Sequence, residues 1–413
     1  MRRSCLLIVA VLVFQIPQVP ASELMQGSPP AADQLVTRAN WRESPFNTWS
    51  LRNVERILPT ATVDRGMGRM SELPAEPMAM DGFTFKDFSG KNRDFSAFLA
   101  DGHVDALLLW QNGRLRIETY RNGQEARDRH MFFSVTKSFT GLIAELLIEE
   151  GRLDPDRLIS TYIPELKGSA YEDATVRHAL DMEVGIDYTE IYDDPASTIF
   201  QFHYAAGYRI PPAGMVTYPS LWQLLPTLRK KGEHGKDFHY VTANTEVLGW
   251  VIERVTGQSL ADVFESRIWQ HLGAERDAFY TVDPHGKAVA GGGLNATARD
   301  SMRLALMVAG KGKFNGVQIV PEAAIARISA GGTPRPSLWG NENGGSDNSY
   351  VSQWYYHHPT ATLFANGVHG QTIHIAVNED VVMVVQSSHP QADDTFFITS
   401  DDFFQAIQAY LRR

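Results

Sequence analysis

The strongest constraint on this chain is where its strand-like segments fall: near the two ends, with helical patterns filling the middle. Ala106-Leu107-Leu108-Leu109-Trp110 is apolar, Asn112-Gly113 follows, and Leu115 to Tyr120 alternates. Asn-Gly between two such runs predicts a tight hairpin, because both residues accept positive φ. Toward the other end, Thr372 to Val377 and Val381 to Gln386 read as strands joined at Asn378-Glu379-Asp380. A closing helix carries Phe403, Phe404, Ile407 and Leu411. Between these ends, Phe139, Leu142, Ile143, Leu146 and Leu147 repeat at helical spacing, and Gly151 stops the helix. Thr245 to Val255 is helical again and stops at Gly257. Ser259-x-x-Asp262 opens a further helix with Val263, Phe264, Ile268 and Trp269 on its inner side. Gly291-Gly292-Gly293 precedes another near Thr297 to Val308. Residues 152 to about 240 give only short helical pieces, and there is no internal repeat. The economical architecture is α+β, an α/β sandwich. One antiparallel sheet is built from both termini, with flanking helices and an inserted, mainly helical region. We divide the domain 41–413 into an α/β part (about 41–150 and 288–413) and a helical part (about 151–287). The seam between them is the natural place for a site.

Composition narrows the function. With 413 residues, 43% hydrophobic and 21% charged, a sizeable core is within reach. The net charge of −10 argues against nucleic acid and anionic membrane surfaces as main partners. The single cysteine, Cys5, excludes a disulfide framework, a zinc ribbon, a CxxC redox site and a cysteine nucleophile in the folded domain. Arg2 and Arg3 precede the apolar stretch Cys5 to Phe14, and Val19-Pro20-Ala21 supplies small residues at a cleavage site. This is the pattern of a signal peptide over residues 1–21. The apolar run is short for a bilayer span. The expectation is therefore a secreted or periplasmic protein whose mature chain does not insert into a membrane; an uncleaved anchor is the alternative. Residues 22–40 read as a polar N-terminal arm. Oligomeric state is not legible.

Several catalytic machines are missing. No Gly-x-Ser-x-Gly elbow, His-Glu-x-x-His or P-loop occurs, and the 13 histidines do not cluster at metal spacing. No metal or cofactor is expected. What remains is Ser134-Val135-Thr136-Lys137 at a helix start. Residues i and i+3 share a helix face, which puts the Lys137 amine beside the Ser134 hydroxyl. The helix N-terminus favours negative charge on an alkoxide or oxyanion, and a desolvated lysine can act as a base. Chance supplies about 0.6 such pairs in a chain of this composition. The bland alternative is Ser134 as a plain N-cap and Lys137 as a solvated residue. The apolar flank Met131-Phe132-Phe133 and the amphipathic helix that follows favour a buried tetrad. Tyr240, in Phe238-His239-Tyr240-Val241-Thr242 before the second helix, is either core or a proton shuttle. Gly367-Val368-His369-Gly370-Gln371 before a late strand is either a simple turn with a satisfied histidine or half of an oxyanion hole.

Ser-x-x-Lys early, a tyrosine element in the middle and a His-Gly motif before a late strand together resemble the serine β-lactamase and penicillin-recognising superfamily. Within it the chain resembles the class C-like branch and its 6-aminohexanoate-dimer hydrolase group. The residues that carry this are Phe133 to Gly141, Glu190-Ile191-Tyr192-Asp193-Asp194-Pro195, Tyr240 to Trp250 and Gly367 to Gln371, with Arg52-Asn53-Val54 and Leu58-Pro59-Thr60. The resemblance implies a serine hydrolase cleaving small linear amides or esters. Ser134 would be the acylated nucleophile, Lys137 the base and Tyr240 the proton relay to the leaving group. The backbone N–H groups of Ser134 and Val368 would form the oxyanion hole. Tyr192 would hydrogen-bond a substrate amide, with Asn244 and His369 as further substrate contacts. Two departures stand out. Thr242 occupies the place of the family's Tyr-x-Asn asparagine, leaving Asn244 as its only nearby substitute, and no lysine accompanies His369. Both weaken the alternative of a β-lactamase or D-alanyl carboxypeptidase. A non-catalytic penicillin-binding-like module is a third reading, but it would be expected to have lost Ser134, Lys137 or Tyr240.

Overall fold

The computed structural model describes residues 23–334, 347–392 and 394–412; the signal-peptide segment lies outside them. The central sheet has seven strands: β1 (Val104–Gln111), β2 (Arg114–Tyr120), β3 (Asn348–Val351), β4 (Trp354–His357), β5 (Thr362–Gly367), β6 (Gln371–Ala376) and β7 (Val381–Ser387). Their order across the sheet is β3-β4-β5-β6-β7-β1-β2, and every neighbouring pair is antiparallel. The C-terminal strand β7 therefore pairs with the N-terminal β1, with Val382 opposite Trp110 and Val384 opposite Leu108. The sheet is indeed built from both ends of the chain. Its β1–β2 turn uses Asn112 at φ 50° and Gly113 at φ 75°, the mirror-image turn that the right-handed strand twist requires.

β1 and β7 are buried on both faces, which is why they read as continuous apolar runs rather than alternating ones. Leu108, Trp110, Val382 and Val384 join the larger core. This lies toward the helices α1 (Val135–Glu149), α2 (Thr242–Thr256) and α3 (Ala298–Ala309). Leu107, Leu109, Met383 and Val385 point the other way. They pack with Phe83, Phe98, Phe403 and Phe404 beneath the C-terminal helix α4 (Asp394–Leu411).

Strands β3 to β5 were not foreseen. β3 and β4 turn through Ser352 and Gln353, both at positive φ, a conformation that neither residue type favours. Tertiary contacts hold that turn: Gln353 Nε2 donates to the carbonyls of Ala179 and Leu180, each at 2.9 Å. The Ser352 carbonyl lies so close to Gly141 of α1 that a Cβ there would sit 2.2 Å from it.

A smaller antiparallel sheet, also unforeseen, runs Thr60–Val63, Ala278–Thr281, Leu294–Ala296 and His130–Met131. Its Ala278–Thr281 strand is a departure from the mainly helical reading of residues 151–287, which otherwise holds α2 and several short helices. The sheet ties that region to the strand leading into α1. The N-terminal arm is also less peripheral than its composition suggests, because Leu24 and Val36 are buried in the main core. No helix among the described residues is long and apolar enough to cross a membrane.

Candidate active site

The chain leaves the short strand His130–Met131 and enters α1 through Phe133, whose φ of 46° is left-handed and costly for a residue of its bulk. Trp41 stacks on its ring at 6.4 Å, and the Phe132 N–H donates to Leu294 O at 2.9 Å. This turn presents Ser134 at the start of the helix, partly exposed while its neighbours are buried. Ser134 has helical backbone angles, and its hydroxyl makes no cap bond. The plain N-cap alternative is thereby excluded.

The hydroxyl meets Lys137 instead. Lys137 Nζ lies 2.9 Å from Ser134 Oγ and donates to Gly291 O at 2.7 Å. Burial pushes its pKa down to about 8, against the opposing pull of Glu190 and then Glu246. Its site is built from the glycine-rich segment. Glu246, on α2, accepts from the N–H groups of Ala290 at 3.0 Å and Gly291 at 2.7 Å. That fixes the carbonyl on which Lys137 rests. Burial raises the Glu246 carboxyl well above the usual carboxylate range.

Tyr240 lies beside the amine, with Lys137 Nζ 5.2 Å from its ring centroid. Tyr350 and Tyr355 brace that ring at 6.3 and 6.4 Å. The end of β5 closes the site. A Cβ on Gly367 would sit 3.0 Å from the Ser134 nitrogen, so only glycine lets the strand end approach that N–H. Val368 follows directly. Among the described residues, no backbone or side-chain acceptor takes the N–H of Ser134 or of Val368. The arrangement combines a serine, a buried amine of lowered pKa, a phenol and two free N–H groups near one strand end, which suits acyl transfer.

The sequence signature of the Beta-lactamase family matches residues 93–399. The chain belongs to the β-lactamase family. It is 35% identical over 368 residues to the 6-aminohexanoate-dimer hydrolase of Paenarthrobacter ureafaciens, covering 88% of this chain and 91% of that one. The structure of a candidate 6-aminohexanoate-dimer hydrolase from Bacillus anthracis superposes with a TM-score of 0.84 at 29% identity, covering 93% of this chain and 98% of that chain. A teichoic acid D-alanine hydrolase of Staphylococcus aureus is 25% identical over 48% of this chain and 47% of its own. The α+β fold and the expectation of a hydrolase of the serine β-lactamase superfamily both hold.

In this β-lactamase-family site, Ser134, Lys137, Tyr240, Val368, Tyr192 and His369 come together and Asn244 does not face it. Asn244 is fully buried; its Oδ1 accepts from Tyr171 at 3.1 Å and its Nδ2 donates to Met182 Sδ at 3.4 Å. It braces α2 from inside and is not a substrate contact. The Thr242 that replaces the family's asparagine points its hydroxyl to Glu190, donating at 2.6 Å, while its N–H donates to the same carboxylate at 2.8 Å. Glu190 also accepts from the Tyr192 phenol. Burial, Glu190 itself and the nearby Tyr240 raise the pKa of that phenol far above its usual range. His369 sits at φ 64° with Nδ1 donating to His389 O at 2.8 Å and its ring 5.3 Å from Phe133. Burial, then Arg42, lowers its pKa to about 3, so it is neutral.

Sequence reasoning assigned no role to Glu190, Glu246, Arg42 or His203. Glu246 carried one usable signal, a carboxylate inside an apolar helical repeat. Among the described residues no group of three His, Cys, Asp or Glu side chains is placed to hold a metal.

Proposed function

We propose that this hydrolase cleaves small linear amides or esters through an acyl-enzyme on Ser134. The observation that carries this is the buried Lys137 amine at 2.9 Å from a Ser134 hydroxyl that caps nothing. Neutral Lys137 takes the hydroxyl proton as Ser134 Oγ attacks the carbonyl carbon. The oxyanion is received by the N–H groups of Ser134 and Val368. Tyr240 passes a proton to the departing nitrogen or oxygen as its bond to the carbonyl carbon breaks. Water, losing its proton to the same base, then attacks the ester and frees Ser134. Tyr192 fits the amide case: its hydrogen is committed to Glu190, so its oxygen lone pair is the part available to a substrate N–H. The name of the Paenarthrobacter ureafaciens relative supports a linear amide, since 6-aminohexanoate dimer is one.

The test is intact-mass analysis after a fluorophosphonate probe, with peptide mapping. One adduct on Ser134 is expected, and none on folded protein would overturn the reading. Residues 1–21 further support export to the periplasm or medium, with Cys5 lost on cleavage. The N-terminal sequence of the chain recovered outside the cytoplasm tests this, with a start at Ser22 expected.

A further inference from the structure

Most of the large apolar side chains of this protein are buried, and the exceptions are unevenly placed. Of the ten exposed ones among the described residues, four lie between positions 191 and 216: Ile191, Ile210, Met215 and Val216. Scattered singly, such residues need no explanation, but gathered in one place they mark a contact surface. Three of the four sit in one loop, Ile210-Pro211-Pro212-Ala213-Gly214-Met215-Val216, which carries no polar side chain at all. Val216 is 88% exposed.

The loop is held firmly at both ends. Tyr208, just before it, is buried. Its N–H donates to His203 O at 2.8 Å, its carbonyl accepts from Trp41 Nε1 at 2.9 Å, and its hydroxyl lies 2.6 Å from Thr281 Oγ1. On the far side the Leu221 N–H donates to Asp283 at 3.0 Å. Between these anchors Pro211 and Pro212 have no N–H to satisfy, and the Met215 N–H donates to Pro212 O at 3.1 Å. A loop with so few free donors leaves water at low cost.

The same anchors adjoin the reaction centre. Trp41, edge-on to Tyr208 at 5.7 Å, stacks on Phe133, the residue before Ser134. Ile191 precedes Tyr192, whose ring lies 6.3 Å from that of His203 on the short helix Ile199–Ala205. Met215 Sδ lies 3.9 Å from Gln201 Nε2 on that helix. The charged residues nearest in sequence are the exposed Asp193 and Asp194 and the half-buried Arg209, and the chain carries a net charge of −10. Such a surface repels an anionic partner and fits an uncharged, apolar one. It is also too small for a second copy of the chain. Four partly exposed side chains offer on the order of a few hundred Å², short of the roughly 800 Å² per partner in a stable dimer.

We propose that this loop and Ile191 seat the hydrolase on undissolved, uncharged substrate, the apolar surface of an emulsified ester or an aggregated amide, and so bring Ser134 to the interface. The proposal rests on the hydrolase reading above and names the physical state of its substrate.

The probe is p-nitrophenyl laurate dispersed above its solubility limit, with p-nitrophenyl acetate as the dissolved control. Wild-type turnover of the laurate should rise steeply as the ester passes its solubility limit. Inert Ser134→Ala should be depleted from solution by the dispersed ester, and high salt should leave that depletion undiminished. Ile210→Ser combined with Val216→Ser should abolish the depletion and lower turnover of the dispersed ester about tenfold, while kcat/KM for the acetate stays within about twofold of wild type. Should that double variant not fold, Val216→Asp, at the most exposed of these positions, should act in the same direction. Turnover that follows one saturation curve through the solubility limit, with no depletion of Ser134→Ala, overturns the surface and leaves the hydrolase reading standing. Depletion by neutral phosphatidylcholine vesicles and not by the ester assigns the loop to a membrane and overturns the proposal. A dimer that the double variant loses assigns it to a second copy, with the same result. No turnover of either ester, with Ser134 unlabelled by the fluorophosphonate, overturns the hydrolase reading and this proposal with it.

Discussion

Two buried cations flank Ser134, Lys137 on its own helix and Arg42 over the ring of Phe133, and burial has opposite consequences for them. Lys137 has carboxylates within electrostatic reach, Glu190 and Glu246, yet its pKa still falls to about 8. Arg42 has no carboxylate partner among the described residues, yet at about 10 it keeps its charge at neutral pH. The difference lies in the chemistry of the heads. An ammonium starts near the working range, so desolvation can bring it to where it gives and takes protons. A guanidinium starts so high that the same penalty leaves it cationic. One region of the site is thereby suited to moving a proton and the other to holding a fixed charge.

The largest expected effect breaks the first half of that contrast. Lys137→Ala should lower kcat by about 10³-fold while circular dichroism and thermal unfolding still report a folded protein. Lys137→Arg should be no better, since a guanidinium cannot take the serine proton at neutral pH. If Lys137→Ala kept more than a tenth of the wild-type rate, the base would lie elsewhere.

The second effect sharpens the contrast. Only neutral Lys137 can accept a proton, so kcat/KM for a neutral ester should rise with pH and level off above about 8. Arg42 keeps its charge across this range and adds no inflection of its own. A profile flat from about pH 6 to 9 would mean that the base is not Lys137.

Glu190 allows a smaller, directional test. Its carboxylate does more than that of Glu246 to hold the Lys137 pKa up against burial. Glu190→Gln keeps an acceptor for the Thr242 N–H and removes the charge, so the inflection in the pH profile should move to lower pH. As a positioning residue, Glu190 should shift the profile as well as the rate. A lower rate with an unmoved inflection would reduce it to a brace for Tyr192.

What could be read from the sequence follows the range of the interactions involved. Ser134 and Lys137 are three residues apart on one helix, and the helix dictates their meeting. The Asn112-Gly113 hairpin is equally local. Thr242 and Asn244 show the limit of such reasoning. Two helical positions are about 200° apart around the axis, so when Thr242 faces Glu190, Asn244 turns into the core. Arg42 stands 92 positions before Ser134 and lacks any periodic or motif signal. Only the fold stacks it over Phe133. The lack of a lysine beside His369 in Gly367–Gln371 says nothing about cations brought in from distant positions, for the same reason. The Ser352-Gln353 turn was hidden because the backbone carbonyls of Ala179 and Leu180 and the side chains of Ser138 and Glu145 on α1 stabilise it, not its own turn chemistry.

The smallest effect concerns Tyr192, the residue between the two cationic regions. Its phenol donates to Glu190, which leaves the oxygen lone pair as an acceptor. An amide substrate presents an N–H to that oxygen, and an ester has none. Tyr192→Phe removes the acceptor with little change of shape, so one hydrogen bond of about 1 kcal/mol, or roughly fivefold, should be lost from amide turnover. Ester turnover should change less. The ring also packs beside His203 at 6.3 Å, and a phenylalanine keeps that packing, so the surrounding structure should survive the substitution. Equal losses on amide and ester would mean that the hydroxyl acts through Glu190 on Lys137, and the pH inflection would then move as it does in Glu190→Gln. A loss confined to amides, with the inflection in place, would instead assign the amide contact to Tyr192 and keep the proton-moving and charge-holding regions independent.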